Sequence, residues 1–168
     1  DFPSILADHV AGRGARLIVD TSGPALFHLA EKPHDALYVL RMDGEEGEEL
    51  AGRPLPTRED TAGFARDLVR QGVARIVIVA RGADGSVLVD KDGAWHAVSP
   101  PGPVISKVGA GDSFVGAFTF ALAGDEPVDE CLRWGVAAAS AAVSTEATRL
   151  CDPDTTARNR DECLVTRL

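Results

Sequence analysis

Short, continuous apolar runs alternate along this chain with stretches whose apolar residues recur at helical spacing, and few folds accommodate that alternation. Residues 16–19 (Arg-Leu-Ile-Val), residues 36–40 and residues 76–80 are, Arg16 apart, continuous apolar runs, the pattern of strands buried on both sides. Before the first run residues 4–11 read as a helix, and between the runs residues 24–29 and 44–50 do. A longer helix runs to Gln71, with Thr57 as N-cap and Phe64, Leu68 and Val69 on one face. Strand–helix alternation of this kind predicts an α/β fold with a mainly parallel sheet flanked by helices. A β-hairpin follows: residues 86–89 and 94–98 alternate around Asp92-Gly93, a favoured two-residue turn. Two helices come next, over residues 111–123 and from 128 to about 144. The stretch from Asp152 onward is polar and reads as a loose helix.

Composition narrows the class. The 168 residues are 26% charged and 45% hydrophobic, ordinary for a globular protein with a real core. By length the chain is one domain. The net charge of −9 is not offset by a basic stripe, which argues against a nucleic-acid partner. No apolar run approaches a membrane span and no signal peptide is visible, so no membrane partner and a cytoplasmic location are expected. Cys131, Cys151 and Cys163 are odd in number and lack metal spacing, as expected of reduced thiols. His9, His28, His34 and His96 form no ligand pattern.

Residues 106–116, Ser-Lys-Val-Gly-Ala-Gly-Asp-Ser-Phe-Val-Gly, carry the most chemistry. A strand-like, proline-rich approach (Pro100, Pro101, Pro103, Val104, Ile105) runs into two glycines, a lone aspartate and then a helix-forming apolar run. That order puts Gly109, Ala110 and Gly111 at a helix N-terminus, where free N–H groups and the positive dipole end favour an anion. Asp112 then stands beside the anion, a use for a carboxylate if a hydroxyl proton must be removed during phosphoryl transfer. Taken as a bare motif, the structural reading is preferred, because an acid in a first turn is worth about 0.3–1 kcal/mol of dipole stabilisation anyway.

Other positions are open on spacing alone. Residues 82–85 (Gly-Ala-Asp-Gly) follow a strand end, the side of an α/β sheet that meets ligands, and a plain turn reads equally well. The acidic run 43–49 is by composition a solvated helix face. Lys107 belongs to no Walker A loop, since Gly-x-x-x-x-Gly-Lys-Ser/Thr is absent; it reads as a phosphate contact or an exposed lysine. Gly135, Ala138, Ala139 and Ala142 share one helix face, which suits close packing or a flat base.

Resemblance decides among these readings. The segment Gly109-Ala110-Gly111-Asp112-Ser113 resembles the C-terminal signature of the PfkB (ribokinase-like) carbohydrate kinases. Ser106 before the loop, Val19-Asp20-Thr21-Ser22-Gly23 near the start and Thr148-Arg149-Leu150-Cys151 near the end resemble the sugar-phosphate branch, the last segment its minor 6-phosphofructokinases in particular. The resemblance implies a ribokinase-like fold of which residues 1–168 are the C-terminal, nucleotide-binding half, the N-terminal half and its lid being absent. It implies ATP-dependent phosphorylation of a sugar phosphate, fructose 6-phosphate foremost, with Asp112 as general base and Gly109, Ala110 and Gly111 holding transferred charge. Gly82, Gly85 and Arg81 would contact nucleotide phosphates, Arg81 replacing charge where the family has a hydroxyl before the glycines and this chain has Ala80. Lys107 and Ala139 would border the nucleotide, Ala139 at a family glycine. Aligned on Gly52, residues Arg41, Met42, Asp43 and Glu46 resemble the family's Lys-Pro-Asn-x-x-Glu motif, so Asp43 and Glu46 would place Mg²⁺ through water. A monovalent cation is implied too, although Ser144-Thr145-Glu146-Ala147 departs from the family's Asn-Gln-Gly segment. A lid-mediated homodimer is implied for the full-length protein. Two alternatives stay open: a degenerate PfkB-like protein that binds nucleotide without catalysis, and a kinase for a non-phosphorylated sugar or a nucleoside.

Overall fold

A computed structural model describes residues 2–147 and 149–168. Its elements run α1 (Phe2–Val10), β1 (Leu17–Asp20), α2 (Gly23–Ala30), β2 (Leu37–Met42), α3 (Gly44–Ala51), α4 (Arg58–Arg70), β3 (Ile76–Ala80), β4 (Ser86–Val89), β5 (Ala94–Val98), α5 (Ala110–Ala123), α6 (Val128–Val143), α7 (Pro153–Glu162) and β6 (Leu164–Arg167). The strands form one mixed sheet in the order β1-β2-β3-β4-β5-β6. The pairs β1–β2 and β2–β3 are parallel, as the helical crossovers between them require. Strands β4 and β5 are neighbours joined only by residues 90–93, too short a link for anything but an antiparallel pair. The chain divides into two compact units: one holds the residues up to Gly82 with Val87–Trp95 and Arg167–Leu168, the other Ala83–Ser86 and His96–Thr166.

In the first unit, every residue of β3 before Ala80 is buried and β2 exposes little more, the expected consequence of their unbroken apolar runs. Leu40, Met42, Val77 and Val79 join Leu26, Leu29, Phe64 and Leu68 in its core, each fully buried side chain contributing about 1.5–3 kcal/mol. Helix α4 starts as expected at Thr57. The Thr57 side chain accepts from the Asp60 N–H, and Asp60 answers with a bond from the Thr57 N–H, a reciprocal capping box. Asp60 is thereby held below its ordinary carboxylate range, the Thr57 side-chain bond being the leading cause.

In the second unit, α5 packs on α6 and α6 on α7. The α5–α6 approach is close: a Cβ on Gly135 would lie 2.8 Å from the Phe114 ring. Phe114 in turn stacks on Phe118, their centroids 6.0 Å apart. Cys131 and Cys163 are buried, and burial pushes the Cys131 thiol up to about 11.

Three expectations need correction. The hairpin turn is not the two residues Asp92-Gly93. In the link over residues 90–93 the Asp90 N–H donates to the Gly93 carbonyl and the Asp90 carboxylate accepts from the N–H groups of both Asp92 and Gly93, an Asx turn that sets the tip one residue earlier, at Lys91-Asp92. The chain end holds a well-capped helix, Asp152 accepting from Thr155 N–H at 2.8 Å, and then a strand, β6, that the sequence reading missed. The proline-rich approach, residues 100–108, is no strand: it is fixed by Ile105 and Ser106 N–H groups that both donate to the Val143 carbonyl at the end of α6.

Candidate active site

Helix α5 begins at Ala110 with Gly109 as N-cap, in the left-handed region at φ 83°. That conformation favours glycine. No side chain caps the helix, so its first turn keeps N–H groups for a ligand. The Ser113 N–H is committed, donating to Gly109 O at 2.9 Å. Phe114, Phe118, Ala121 and Leu122 form the buried stripe of α5, and Asp112, off that stripe, is exposed in the first turn. The structure therefore brings Gly109, Ala110, Gly111 and Asp112 together, with the carboxylate outside the core and beside the open amides. The Ser106 hydroxyl accepts from Val108 N–H at 3.2 Å and the Lys107 carbonyl from Ala110 N–H at 3.3 Å. Both residues shape the turn, and the Lys107 side chain is exposed.

Residues 82–85 close as a short 3₁₀ turn, Gly82–Asp84. Gly82 and Ala83 are exposed. Gly85, at φ 79°, lies so near β5 that a Cβ there would sit 2.0 Å from the Ala97 carbonyl oxygen. Arg81 behaves differently from the phosphate ligand the sequence suggests. Its guanidinium donates to the carbonyls of Leu55, Pro56 and Thr57 and to the Thr61 hydroxyl. It tethers the link between α3 and α4 to the end of β3.

The Asp43–Glu46 pair is a second capping box. Asp43 is the N-cap of α3, its Oδ1 accepting from Glu46 N–H at 2.9 Å, while Glu46 Oε2 accepts from Asp43 N–H at 2.7 Å. Neighbouring strands deliver two further charges. The β1–β2 register sets Asp20 beside Arg41, and Arg41 Nη1 bonds both Asp20 oxygens at 3.0 and 3.2 Å. Glu46 is pushed above its ordinary value, first by burial and then by the Asp43 and Asp20 carboxylates. Among the described residues no group of three acidic, His or Cys side chains is arranged to hold a metal directly. The donors that do exist fit Mg²⁺ held through water: Asp43 Oδ2 and Glu46 Oε1 are left over from the capping bonds, hard oxygens in an anion-crowded corner that a cation would relieve. The sequence reading did not count Asp20 in this group, because the parallel register that sets it beside Arg41 leaves no local pattern.

Ala139 is half-buried on α6, whereas Gly135, Ala138 and Ala142 are buried. The absence of a side chain at Gly135 admits the Phe114 ring, so packing accounts for that part of the stripe. The Ser144 and Thr145 hydroxyls donate to the Ala141 and Ala142 carbonyls at the end of α6. The first residue of the Thr148–Cys151 segment lies outside the described residues.

The sheet and its flanking helices make a ribokinase-like α/β protein. A model of the pfkB family carbohydrate kinases matches residues 7–155, and the chain belongs to that family. It is 39% identical over 144 residues to the ATP-dependent 6-phosphofructokinase isozyme 2 of Escherichia coli K12, covering 86% of this chain and 46% of that protein. To the 1-phosphofructokinase of Bacillus subtilis it is 32% identical over 142 residues, covering 84% and 45%. The crystal structure of phosphofructokinase-2 from Escherichia coli in complex with potassium superposes with a TM-score of 0.86 at 36% identity, covering 94% of this chain and 50% of that one. The chain thus spans about half the length of the relatives it matches.

Proposed function

We propose that this chain is the nucleotide-handling part of a kinase that transfers the γ-phosphoryl group of ATP to a hydroxyl of a phosphorylated sugar. Fructose 6-phosphate is the proposed acceptor, in keeping with the name of the Escherichia coli relative, whereas the name of the Bacillus subtilis relative points to fructose 1-phosphate. One observation carries the reading: the first turn of α5 is uncapped by any side chain and presents an exposed aspartate next to its open amides.

In this reading the Gly109 and Gly111 amides stabilise charge that develops on the transferred group, while the Ala110 N–H, bonded to the Lys107 carbonyl, holds the turn. Asp112 takes the proton from the attacking hydroxyl, a role that needs a carboxylate free of the core. Gly82 and Gly85 line the phosphate path. Asp43 and Glu46 would hold Mg²⁺ through water, where the ion would neutralise phosphate charge. Titration of MgATP into the chain, with Gly111→Val as control, tests the anion site; binding by the wild type that the variant loses is the expected result. In the full-length protein, Asp112→Asn should abolish turnover and spare nucleotide affinity. Near-normal rates in that variant would remove Asp112 from its role as base.

A second reading has one observation in its favour. Ala80 offers no hydroxyl, and the Arg81 guanidinium is engaged with residues 55–57 and Thr61. A protein that binds nucleotide without catalysis would tolerate that loss. A phosphotransfer assay on the full-length protein, with fructose 6-phosphate and fructose 1-phosphate, separates the two.

A further inference from the structure

His96 is a buried polar side chain that the proposed chemistry does not use. It lies on β5, 1% exposed, and its Nε2 is 2.5 Å from the carbonyl oxygen of Asp84. A carbonyl only accepts, so Nε2 carries the proton and donates. The Asp84 carboxylate is farther off, 4.0 Å from the same nitrogen. One strand residue thus grips the backbone at the last residue of the 3₁₀ turn Gly82–Asp84.

The next residue is gripped by shape. Gly85 rests against the Ala97 carbonyl too closely for any Cβ, so consecutive residues of the turn are registered on consecutive residues of β5. The peptide between Asp84 and Gly85 is trans. In a trans peptide the C=O and the following N–H point in opposite directions. Holding the Asp84 carbonyl on the imidazole therefore aims the Gly85 N–H away from His96. A turn so fixed keeps its donors aimed before a ligand arrives, and pre-aimed donors cost less ordering on binding.

We propose that His96 is a positioning residue for the nucleotide: its Nε2–H sets the orientation of residues 82–85, and through it the affinity of that turn for phosphate. This rests on the reading, made above, that the turn faces the nucleotide. The test compares His96→Met, which fills the volume without a donor, with His96→Gln, whose amide can reach the same carbonyl, both in the full-length protein. Removing the imidazole donor from the part-buried Asp84 carbonyl should raise KM for MgATP about tenfold in His96→Met. The turnover number should stay within about twofold, and His96→Gln should recover most of the KM. Backbone hydrogen exchange across residues 82–86 of the ligand-free protein should accelerate in His96→Met alone. Unchanged exchange and KM would overturn the proposal, as would parallel losses of KM and kcat that His96→Gln fails to rescue. Faster exchange with unchanged KM would also overturn it, while showing that the hydrogen bond holds the turn. Protection of the same amides by MgATP in the wild type reports the underlying loop assignment separately: its absence fails that reading, whatever His96 does.

Discussion

Glu46 carries two demands in one carboxylate: it closes the α3 capping box, and it stands among like charges. Burial leads the upward shift of its pKa, with Asp43 and Asp20 adding to it and the Asp43 N–H bond and Arg41 opposing it. The native state therefore holds the Glu46 proton more tightly than the unfolded chain does. Its contribution to stability is present below the ordinary value of 4.5 and is lost as pH rises through the raised value. Glu46→Gln keeps an acceptor for the Asp43 N–H and removes the charge. The variant should melt at the same or a higher temperature than the wild type at neutral pH, and that advantage should vanish below the ordinary carboxylate value. Added Mg²⁺ should raise the melting temperature of the wild type and leave Glu46→Gln nearly unmoved; an equal rise in both would take the metal away from this pair. Arg81 makes a different point at the same scale. An arginine after a strand, next to glycines, looks identical in sequence whether it meets a phosphate or a distant loop. The carbonyls that claim it are 24 to 26 residues away, which no local pattern reveals. Arg81→Met should accordingly lower the melting temperature, with urea midpoints as a check. Loss of MgATP affinity without loss of stability would restore the phosphate role.

At the scale of elements, the legible features were those with a local cause. The buried strands announced themselves by unbroken apolar runs, α4 by its Thr57 cap, and α5 by glycine before an apolar stripe. Strand β6 did not, because three of its four residues are exposed and its place is set by backbone pairing at the end of the sheet. The small-residue face of α6 could be read as a base platform or as a packing surface; the Phe114 ring against Gly135 decides for packing over that part. A methyl at Gly135 would meet ring carbons at 2.8 to 3.0 Å, overpacking that costs about 1–3 kcal/mol. Gly135→Ala should therefore destabilise the protein by that amount in denaturant titration. Because the clash is with one side chain, Gly135→Ala combined with Phe114→Leu should lose less than the sum of the single changes. Strict additivity would mean that the α5–α6 approach is set elsewhere. Loss of the α5 position should also weaken MgATP binding, since the same helix carries residues 110–112.

For the molecule as a whole, the informative quantity is how much apolar surface the chain leaves uncovered. It spans 46% of its Escherichia coli relative. Strand β1 ends the sheet order, hydrogen-bonded among the described residues to β2 alone. Beside it, Phe2 and Ile5 of α1 are 71% and 59% exposed, and Phe2, Pro3, Leu6 and Leu17 line a shallow hollow against the strand. In the other unit Phe120 of α5 is 78% exposed. An uncovered parallel-sheet edge flanked by apolar side chains is a template for pairing with another chain. The net charge of −9 opposes association only over roughly a Debye length, about 8 Å at physiological salt. The 168-residue chain on its own should therefore self-associate as its concentration rises, and more readily in high salt, where sedimentation velocity would follow it. Substituting Phe2 and Ile5 by Lys places charge at the rim of the β1 edge without touching the core, and should return the chain to monomer. Phe120→Lys makes the same change in the other unit; relief by that variant alone would assign the sticky surface to α5 and leave the β1 edge harmless. A wild-type chain that stays monomeric at every concentration and salt would show that neither surface is adhesive.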